Sequence, residues 1–140
     1  MIRTLALIGL SIGLAAGQCA LAADTADDAT TATIGADGVQ RVTLTLSNYS
    51  YTPSHVIVQS GKPVELTLIK DSGFTPHDLV IDDPASGLSV RANASEDEPR
   101  TLQFTPGRVG SFTFYCSKKA PFMASHRAKG MEGVLEVRAD

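Results

Sequence analysis

The sequence predicts an all-β protein in which two sheets pack face to face as a sandwich. Along several short segments apolar and polar residues alternate, which gives each predicted strand one face to bury. Gly and Pro turn signals separate these segments, and no stretch has a convincing helical periodicity. Because each sheet then carries an apolar face, the sheets must cover one another, and a small barrel is the alternative architecture.

The predicted strands begin at Val39 and follow at regular spacing, so we expect about seven or eight of them. They are centred on residues 42–46, 56–58, 64–68, 79–81, 102–104, 112–114 and 135–137. Turns are predicted at residues 60–63, 82–84 and 106–107, where Gly, Pro, Asp or Ser cluster. The polar and acidic residues 92–99 are predicted to form a surface loop.

Residues 1–22 are predicted to be a signal peptide. Arg3 is the lone basic residue of a short start, residues 5–16 are uncharged and apolar, and Ala20-Leu21-Ala22 has the pattern of a cleavage site. The apolar stretch is shorter than the roughly 20 residues that span a bilayer, so we expect export to the periplasm. The alternative of a lipid anchor at Cys19 is disfavoured because Gln18 precedes it.

Beyond the signal, residues 23–38 are rich in Ala, Asp, Thr and Gly and are predicted to be a flexible tail. Residues 39–140 then form one domain. The net charge is −3 without a basic stripe, so nucleic-acid binding is not expected. No second apolar segment is long enough to cross a membrane. We therefore expect a monomer that is not inserted in a membrane after cleavage.

Cys116 would be the lone cysteine of the exported chain. In an oxidising compartment a single thiol is expected to be either deeply buried or bound to a metal. Residues two apart on a strand share a face, so Cys116 lies on the same side as the apolar Phe112 and Phe114. This places the thiol at a strand end, on the inward side of the sandwich.

Four side chains form a candidate metal site: His77, Cys116, His126 and Met131. Two imidazoles, a thiolate and a thioether are the ligand set of a mononuclear copper site that carries single electrons. Taken singly, a histidine is more often a surface residue, and a buried cysteine or methionine more often fills a core. Zinc with a water as fourth ligand is the rival metal for the two imidazoles and the thiolate.

Over residues 39–137 the sequence resembles the cupredoxin family, the small blue-copper proteins related to plastocyanin and azurin. The resemblance lies in Pro76-His77-Asp78-Leu79-Val80-Ile81, Gly110-Ser111-Phe112-Thr113-Phe114-Tyr115-Cys116 and Gly130-Met131-Glu132-Gly133. It implies a Greek-key β-sandwich. It also implies that His77, Cys116 and His126 are equatorial copper ligands and that Met131 is a weak axial ligand.

The sequence departs from the family pattern in two places. Residues 117–125, between Cys116 and His126, are more numerous than in plastocyanin or azurin, so we expect a perturbed, green rather than blue site. They also include Met123, a rival axial ligand. Asp78 stands where family members often carry Asn, at a position that commonly supports the ligand loop through hydrogen bonds.

Two further features are weighed outside the ligand set. His55 has no ligand motif around it and is interpreted as a surface residue, with a secondary copper site as the alternative.

Cations cluster near the predicted metal loop, together with an apolar Phe122, and could dock an acidic redox partner such as a cytochrome or an oxidase. These cations are Lys118, Lys119, Arg127 and Lys129.

The function expected from these features is that of a periplasmic electron carrier with one copper ion. The chain has 3 histidines, too few for the additional coppers of an oxidase or a nitrite reductase, so an enzyme is not expected. The alternative is copper homeostasis, by copper sequestration or Cu(I) oxidation, which the same ligands would serve. Residues 23–38 contain neither His nor Met, which favours electron transfer over metal handling.

Overall fold

The computed structural model describes residues 29–71 and 73–140. The predicted signal peptide, residues 1–22, and the first part of the predicted tail lie outside them. Among the described residues no helix is long and apolar enough to cross a membrane. The strands are β1 Ala29–Thr31, β2 Thr33–Ile34, β3 Gln40–Ser47, β4 Ser50–Thr52, β5 His55–Gln59, β6 Val64–Lys70, β7 Asp78–Asp83, β8 Leu88–Asn93, β9 Arg100–Phe104, β10 Gly110–Tyr115 and β11 Glu132–Arg138. Two short 3-10 helices span Pro84–Ser86 and Arg127–Lys129.

The strands form two sheets that confirm the predicted Greek-key sandwich. One sheet has the order β1-β5-β11-β10-β7-β8, and the other has the order β2-β3-β6-β9 with β4 paired to β3. Strands β5 and β11, like β3 and β6, pair in parallel although they are distant in sequence. There are more strands than expected, because the short β1, β2 and β4 add to the longer ones that carry the apolar alternation.

The core lies between the sheets and follows the predicted alternation. In β3 and β6 of one sheet every second side chain is buried, and the buried positions of β10 and β11 in the other sheet face them across the core. Phe114 is the largest side chain that is fully buried. It pairs across the strands with Gly133, where a Cβ would overlap both the Phe114 ring and the Ser54 carbonyl oxygen. A glycine is therefore required for β11 to approach this ring.

Two parts of the sequence prediction need correction. Residues 29–34, expected in the flexible tail, form β1 and β2, and the N–H of Ala32 donates to the carbonyl of Ile57 at 2.9 Å. Backbone pairing with a sheet edge requires no apolar pattern, and in these two strands and their junction Ala32 alone is buried. Strand β8, Leu88–Asn93, was not predicted and takes in the first two residues of the expected surface loop.

Candidate metal centre

Three neighbouring strands bring the predicted ligands to one end of the sandwich. His77 immediately precedes β7, Cys116 immediately follows β10, and Met131 immediately precedes β11. Tyr115, at the end of β10, pairs with Val80 of β7 on one side and with Glu132 of β11 on the other. Because both pairings are antiparallel, the start of β7, the end of β10 and the start of β11 lie at the same edge.

His77, Cys116 and His126 converge on a common point. One potential ligand atom from each lies within 4.8 Å of the other two, and the Cys116 Sγ is 3.4 Å from the His126 Nδ1. Within the described ranges, 29–71 and 73–140, no other group of three His, Cys, Asp or Glu residues has this geometry. The three side chains are buried, with exposed fractions of 3 % for His77, 0 % for Cys116 and 4 % for His126.

The donors themselves fit a soft or borderline metal ion. The His77 Nδ1 is buried and has no hydrogen-bond partner. Leaving a buried polar atom unpaired costs about 1–3 kcal/mol, so such an atom needs an explanation. A ligand bond to a metal would satisfy it, and a thiolate with two imidazoles is a donor set that suits copper or zinc.

Met131 is placed beside these three residues by its backbone. Its N–H donates to the carbonyl of His126 at 3.0 Å, and its carbonyl accepts from the N–H of Cys116 at 3.1 Å. The Met131 side chain is fully buried, whereas Met123 is half exposed, with an exposed fraction of 51 %. The structure thus favours Met131 over Met123 as the source of the thioether.

Burial tunes the protonation of the ligand groups. Desolvation is the main cause that lowers the pKa values of His77 and His126, which keeps both imidazoles neutral and able to bind a metal. Desolvation also raises the pKa of the Cys116 thiol above its ordinary value, although backbone hydrogen bonds from residues 78 and 118 act in the opposite direction. These shifts favour neutral imidazole rings and a protonated thiol at neutral pH.

Asp78 fixes the chain directly after the thiol. Its buried carboxylate accepts hydrogen bonds from the Ser117 N–H at 2.7 Å and from the Ser117 hydroxyl at 2.6 Å. Its own backbone carbonyl accepts from the Tyr51 hydroxyl at 2.6 Å. The expectation that this position supports the ligand loop is confirmed, with a carboxylate in the place of an amide.

The long segment after Cys116 is folded back onto the site. The N–H of His126 donates to the carbonyl of Lys118 at 2.9 Å, which closes the loop between them. The helix Arg127–Lys129 follows and ends at Gly130, whose φ of +94° suits a glycine. The chain then turns directly into Met131 and β11.

Sequence reasoning missed Tyr49, which lies in the turn between β3 and β4. Its ring is edge-on to the ring of His126, with centroids 4.9 Å apart, and to that of His77, with centroids 6.3 Å apart. The ammonium of Lys129 lies 4.1 Å from the centre of the Tyr49 ring. A tyrosine in a polar turn gives no sequence signal for such a contact.

A cavity of about 350 Å³ opens beside His126. Its lining includes Tyr49, Pro76 and Met123, and it is bordered by three of the four cations that were singled out in the sequence, namely Lys118, Lys119 and Lys129. Phe74, which also lines the cavity, is fully exposed, as is Phe122. The fourth cation, Arg127, lies apart, because it covers the ring of Tyr115 at 4.3 Å and hydrogen-bonds Glu132 at 3.0 Å.

His55 lies outside the candidate metal centre. It is half-buried on β5, and its Nε2 lies 2.9 Å from a carboxylate oxygen of Glu136. Since Glu136 also accepts a hydrogen bond from Arg138 at 2.6 Å, the histidine is part of a local polar network. It does not join a group of three potential metal ligands among the described residues.

Comparison with known proteins identifies the family. A family model described as a cupredoxin-like domain matches residues 12–131. Plastocyanin from Dryopteris crassirhizoma is 29 % identical over 105 residues, which cover 66 % of this chain and 92 % of the plastocyanin. A mutant fern plastocyanin of known structure is 30 % identical, with a TM-score of 0.50 over 69 % of this chain and 100 % of that one.

One more solved structure is similar to this chain in fold, although its sequence is very different. The metal binding domain of the Cu(I) exporting P-type ATPase CopA from Streptococcus pneumoniae D39, solved with Cu(I), has a TM-score of 0.63. It is 19 % identical in sequence, and the match covers 80 % of this chain and 97 % of that domain. The same sandwich is therefore found in proteins that differ widely in sequence.

Proposed function

Since this chain belongs to the cupredoxin family, we propose that it binds one copper ion and transfers single electrons through Cu(I) and Cu(II). His77, Cys116 and His126 would hold the ion, with Met131 as a weak fourth ligand. The observation that carries the proposal is the convergence of two imidazole nitrogens and the thiol sulfur within 4.8 Å in a buried site. Bound there, copper would supply reversible one-electron chemistry.

The residues around the site suit an electron carrier. Asp78, Tyr51 and the backbone bonds of Met131 hold the ligand-bearing segments in place, and such a rigid frame limits rearrangement between oxidation states. Burial of Cys116 and Met131 excludes water from their side of the site. We expect no catalytic turnover, and the predicted signal peptide supports a periplasmic location.

The proposed route of electron transfer between the copper site and a partner runs through His126. It is the one proposed ligand that lines the described cavity, and its ring edge is close to the surface there. The surrounding Lys118, Lys119 and Lys129 support an acidic redox partner, because opposite charges speed encounter. Lys118 already donates to Asn93 at 2.6 Å, whereas among the described residues the Lys119 ammonium makes no hydrogen bond or ion pair and is the better docking cation.

Copper binding and redox cycling provide the first test. Titration of the metal-free chain with copper should reach one ion per chain, and the loaded protein should titrate reversibly with one electron. Cys116→Ser should lose both properties while keeping the fold, as measured by far-UV circular dichroism. Tight binding of zinc with no bound copper would overturn the proposal.

The docking surface has its own test. With an acidic redox partner, Lys119→Glu should slow electron transfer and weaken its dependence on salt, because a steering charge is reversed. Arg127→Glu is the matched control, since Arg127 lies apart from the cavity. Equal rates and equal salt dependence for Lys119→Glu and the unmodified protein would contradict this docking surface.

A cellular measurement separates the carrier from the copper-handling alternative. A strain that lacks the protein should show impaired respiratory or other electron transfer with normal copper tolerance. Copper sensitivity with unchanged electron transfer would instead assign the same site to copper homeostasis.

A further inference from the structure

Tyr49 is in contact with both histidines of the site without being a ligand. The interplanar angles are 82° to His126 and 89° to His77, so the edges of the rings meet the faces of their partners. Such edge-to-face contacts are favourable for aromatic rings. The Tyr49 side chain is only half-buried, whereas both imidazoles are almost completely buried, with exposed fractions of 4 % for His126 and 3 % for His77. The ring thus lies on the outer side of the imidazoles.

The cavity beside His126 is lined by the same tyrosine ring. Tyr49, His126 and Lys129 all line it, while Cys116 and Met131 are fully buried behind them. Within this cavity the Tyr49 ring lies against the rings of His126 and His77, the two imidazoles next to the Cys116 sulfur. The ring therefore covers the two imidazoles on the cavity side, and the Cys116 sulfur is more deeply buried than the ring.

Tyr49 is held there by side-chain contacts and not by a strand. It occupies the turn between β3 and β4 with φ of +60°, a conformation that residues other than glycine rarely adopt. The Lys129 ammonium, at 4.1 Å from the ring centre, is a favourable partner for the face of the ring. Rotation of this one side chain would open the cavity towards His77, Cys116 and His126 without breaking a strand pair.

We infer that Tyr49 is a movable lid, held closed by Lys129, that limits access of ions and small molecules to the site. With respect to copper, the inference rests on the proposed function. With respect to access to the Cys116 sulfur it does not, and this part can be measured without any metal.

The first experiment follows alkylation of Cys116 by iodoacetamide in the metal-free full chain, with the modified peptide quantified by mass spectrometry. Tyr49→Gly removes the ring, and glycine suits the positive φ at this position. Alkylation of Cys116 in this variant should be about tenfold faster than in the unmodified protein. Tyr49→Phe keeps the ring contacts and should stay within about twofold. Lys129→Gln should accelerate the reaction about threefold, because only the cation contact is lost.

Tyr115→Ala is the matched control. Tyr115 is also half-buried with a cation over its ring, that of Arg127 at 4.3 Å, but it does not line the cavity beside His126. The control should react within about twofold of the unmodified protein. A Tyr49→Gly rate equal to that of the unmodified chain would overturn the lid. Equal acceleration in Tyr49→Gly and Tyr115→Ala would also overturn it, since a general loosening would then explain both.

The second experiment measures transfer of Cu(I) from the loaded protein to an excess of bicinchoninate. The rates of Cu(I) transfer should follow the same order as the alkylation rates, with Tyr49→Gly fastest and Tyr49→Phe close to the unmodified chain. If the chain binds no copper but the alkylation order holds, the proposed function fails and the lid over the thiol stands. If copper binds and its release is equally fast in all variants, the lid fails as a barrier to the metal and the proposed function stands.

Discussion

Asp78 and Ser117 are joined by two hydrogen bonds that link the start of one ligand-bearing strand to the end of another. The Ser117 N–H and hydroxyl donate to the two carboxylate oxygens at 2.7 and 2.6 Å. Since His77 precedes Asp78 and Cys116 precedes Ser117, this pair sets the separation of an imidazole from the thiol. It also places a buried carboxylate next to the proposed copper ligands.

Asp78→Asn should raise the reduction potential of the copper-loaded protein. The amide oxygen can accept from the Ser117 N–H and the amide NH2 can donate to the Ser117 hydroxyl oxygen. The loss of a nearby negative charge favours Cu(I) over Cu(II), by on the order of 100 mV. Protein-film voltammetry measures the shift. The control is Asp82→Asn, which removes an exposed charge from the same strand and should leave the potential nearly unchanged. Equal potentials for Asp78→Asn and the unmodified protein would contradict an electrostatic role.

Met131→Leu should change the copper site, whereas Met123→Leu should not. Leucine has a similar volume, so the fully buried position 131 stays filled while the thioether is lost. Loss of this donor destabilises Cu(II), so the potential should rise and the electron paramagnetic resonance parameters should change. The half-exposed Met123 is the control. The opposite pattern, with Met123→Leu altering the spectrum and Met131→Leu leaving it unchanged, would make Met123 the axial ligand.

Copper binding should release about one proton per ion at pH 7. Burial raises the pKa of the Cys116 thiol above its ordinary value and lowers the pKa values of both histidines below theirs. Thus the thiol alone must lose a proton, and affinity should rise about tenfold per pH unit from neutral pH towards the thiol pKa. Proton release can be followed with an indicator dye in weak buffer. Release of no proton would mean that the thiol is already ionised.

Gly133→Ala should destabilise the fold by about 3 kcal/mol, because a Cβ would overlap the Phe114 ring and the Ser54 backbone oxygen. Chemical denaturation of the metal-free protein measures this change. Gly107→Ala is the control, since the nearest atom to a Cβ there is at 3.5 Å, an ordinary contact. If both variants unfold at the same denaturant concentration, the close approach of β11 to Phe114 is not what the glycine provides.

The long loop gives a spectral prediction. Residues 117–125 set how His126 and Met131 reach the site. The copper protein should therefore have a second strong absorption band, at a wavelength shorter than that of the main visible band. A single dominant band near that of plastocyanin would contradict a perturbed site.

Much of the fold and of the candidate site followed from the sequence, for physical reasons. Alternation in segments such as 42–46 and 112–114 identifies strands because burial acts on every second side chain. His77, Cys116 and His126 could be proposed as ligands because two imidazoles and a thiolate are a copper donor set and because the surrounding motifs resemble one family. The structure brings these three side chains together.

What could not be predicted depends on contacts that leave no pattern. Strand β1 forms through backbone pairing at a sheet edge, where Thr and Ala give no apolar alternation. Tyr49 reaches the imidazoles because a turn folds over the end of the sandwich, and the partners in that contact are distant in sequence. The separation of Arg127 from the other cations follows from its contact with Tyr115, which only the folded structure reveals.

The optical and electron paramagnetic resonance spectra of the copper-loaded protein, compared with those of Cys116→Ser, test the central claim most directly. If His77, Cys116 and His126 hold one copper ion together, the oxidised protein should show an intense visible sulfur-to-copper band that Cys116→Ser lacks. A weakly coloured protein whose spectra are the same with and without the Cys116 sulfur would contradict the assignment.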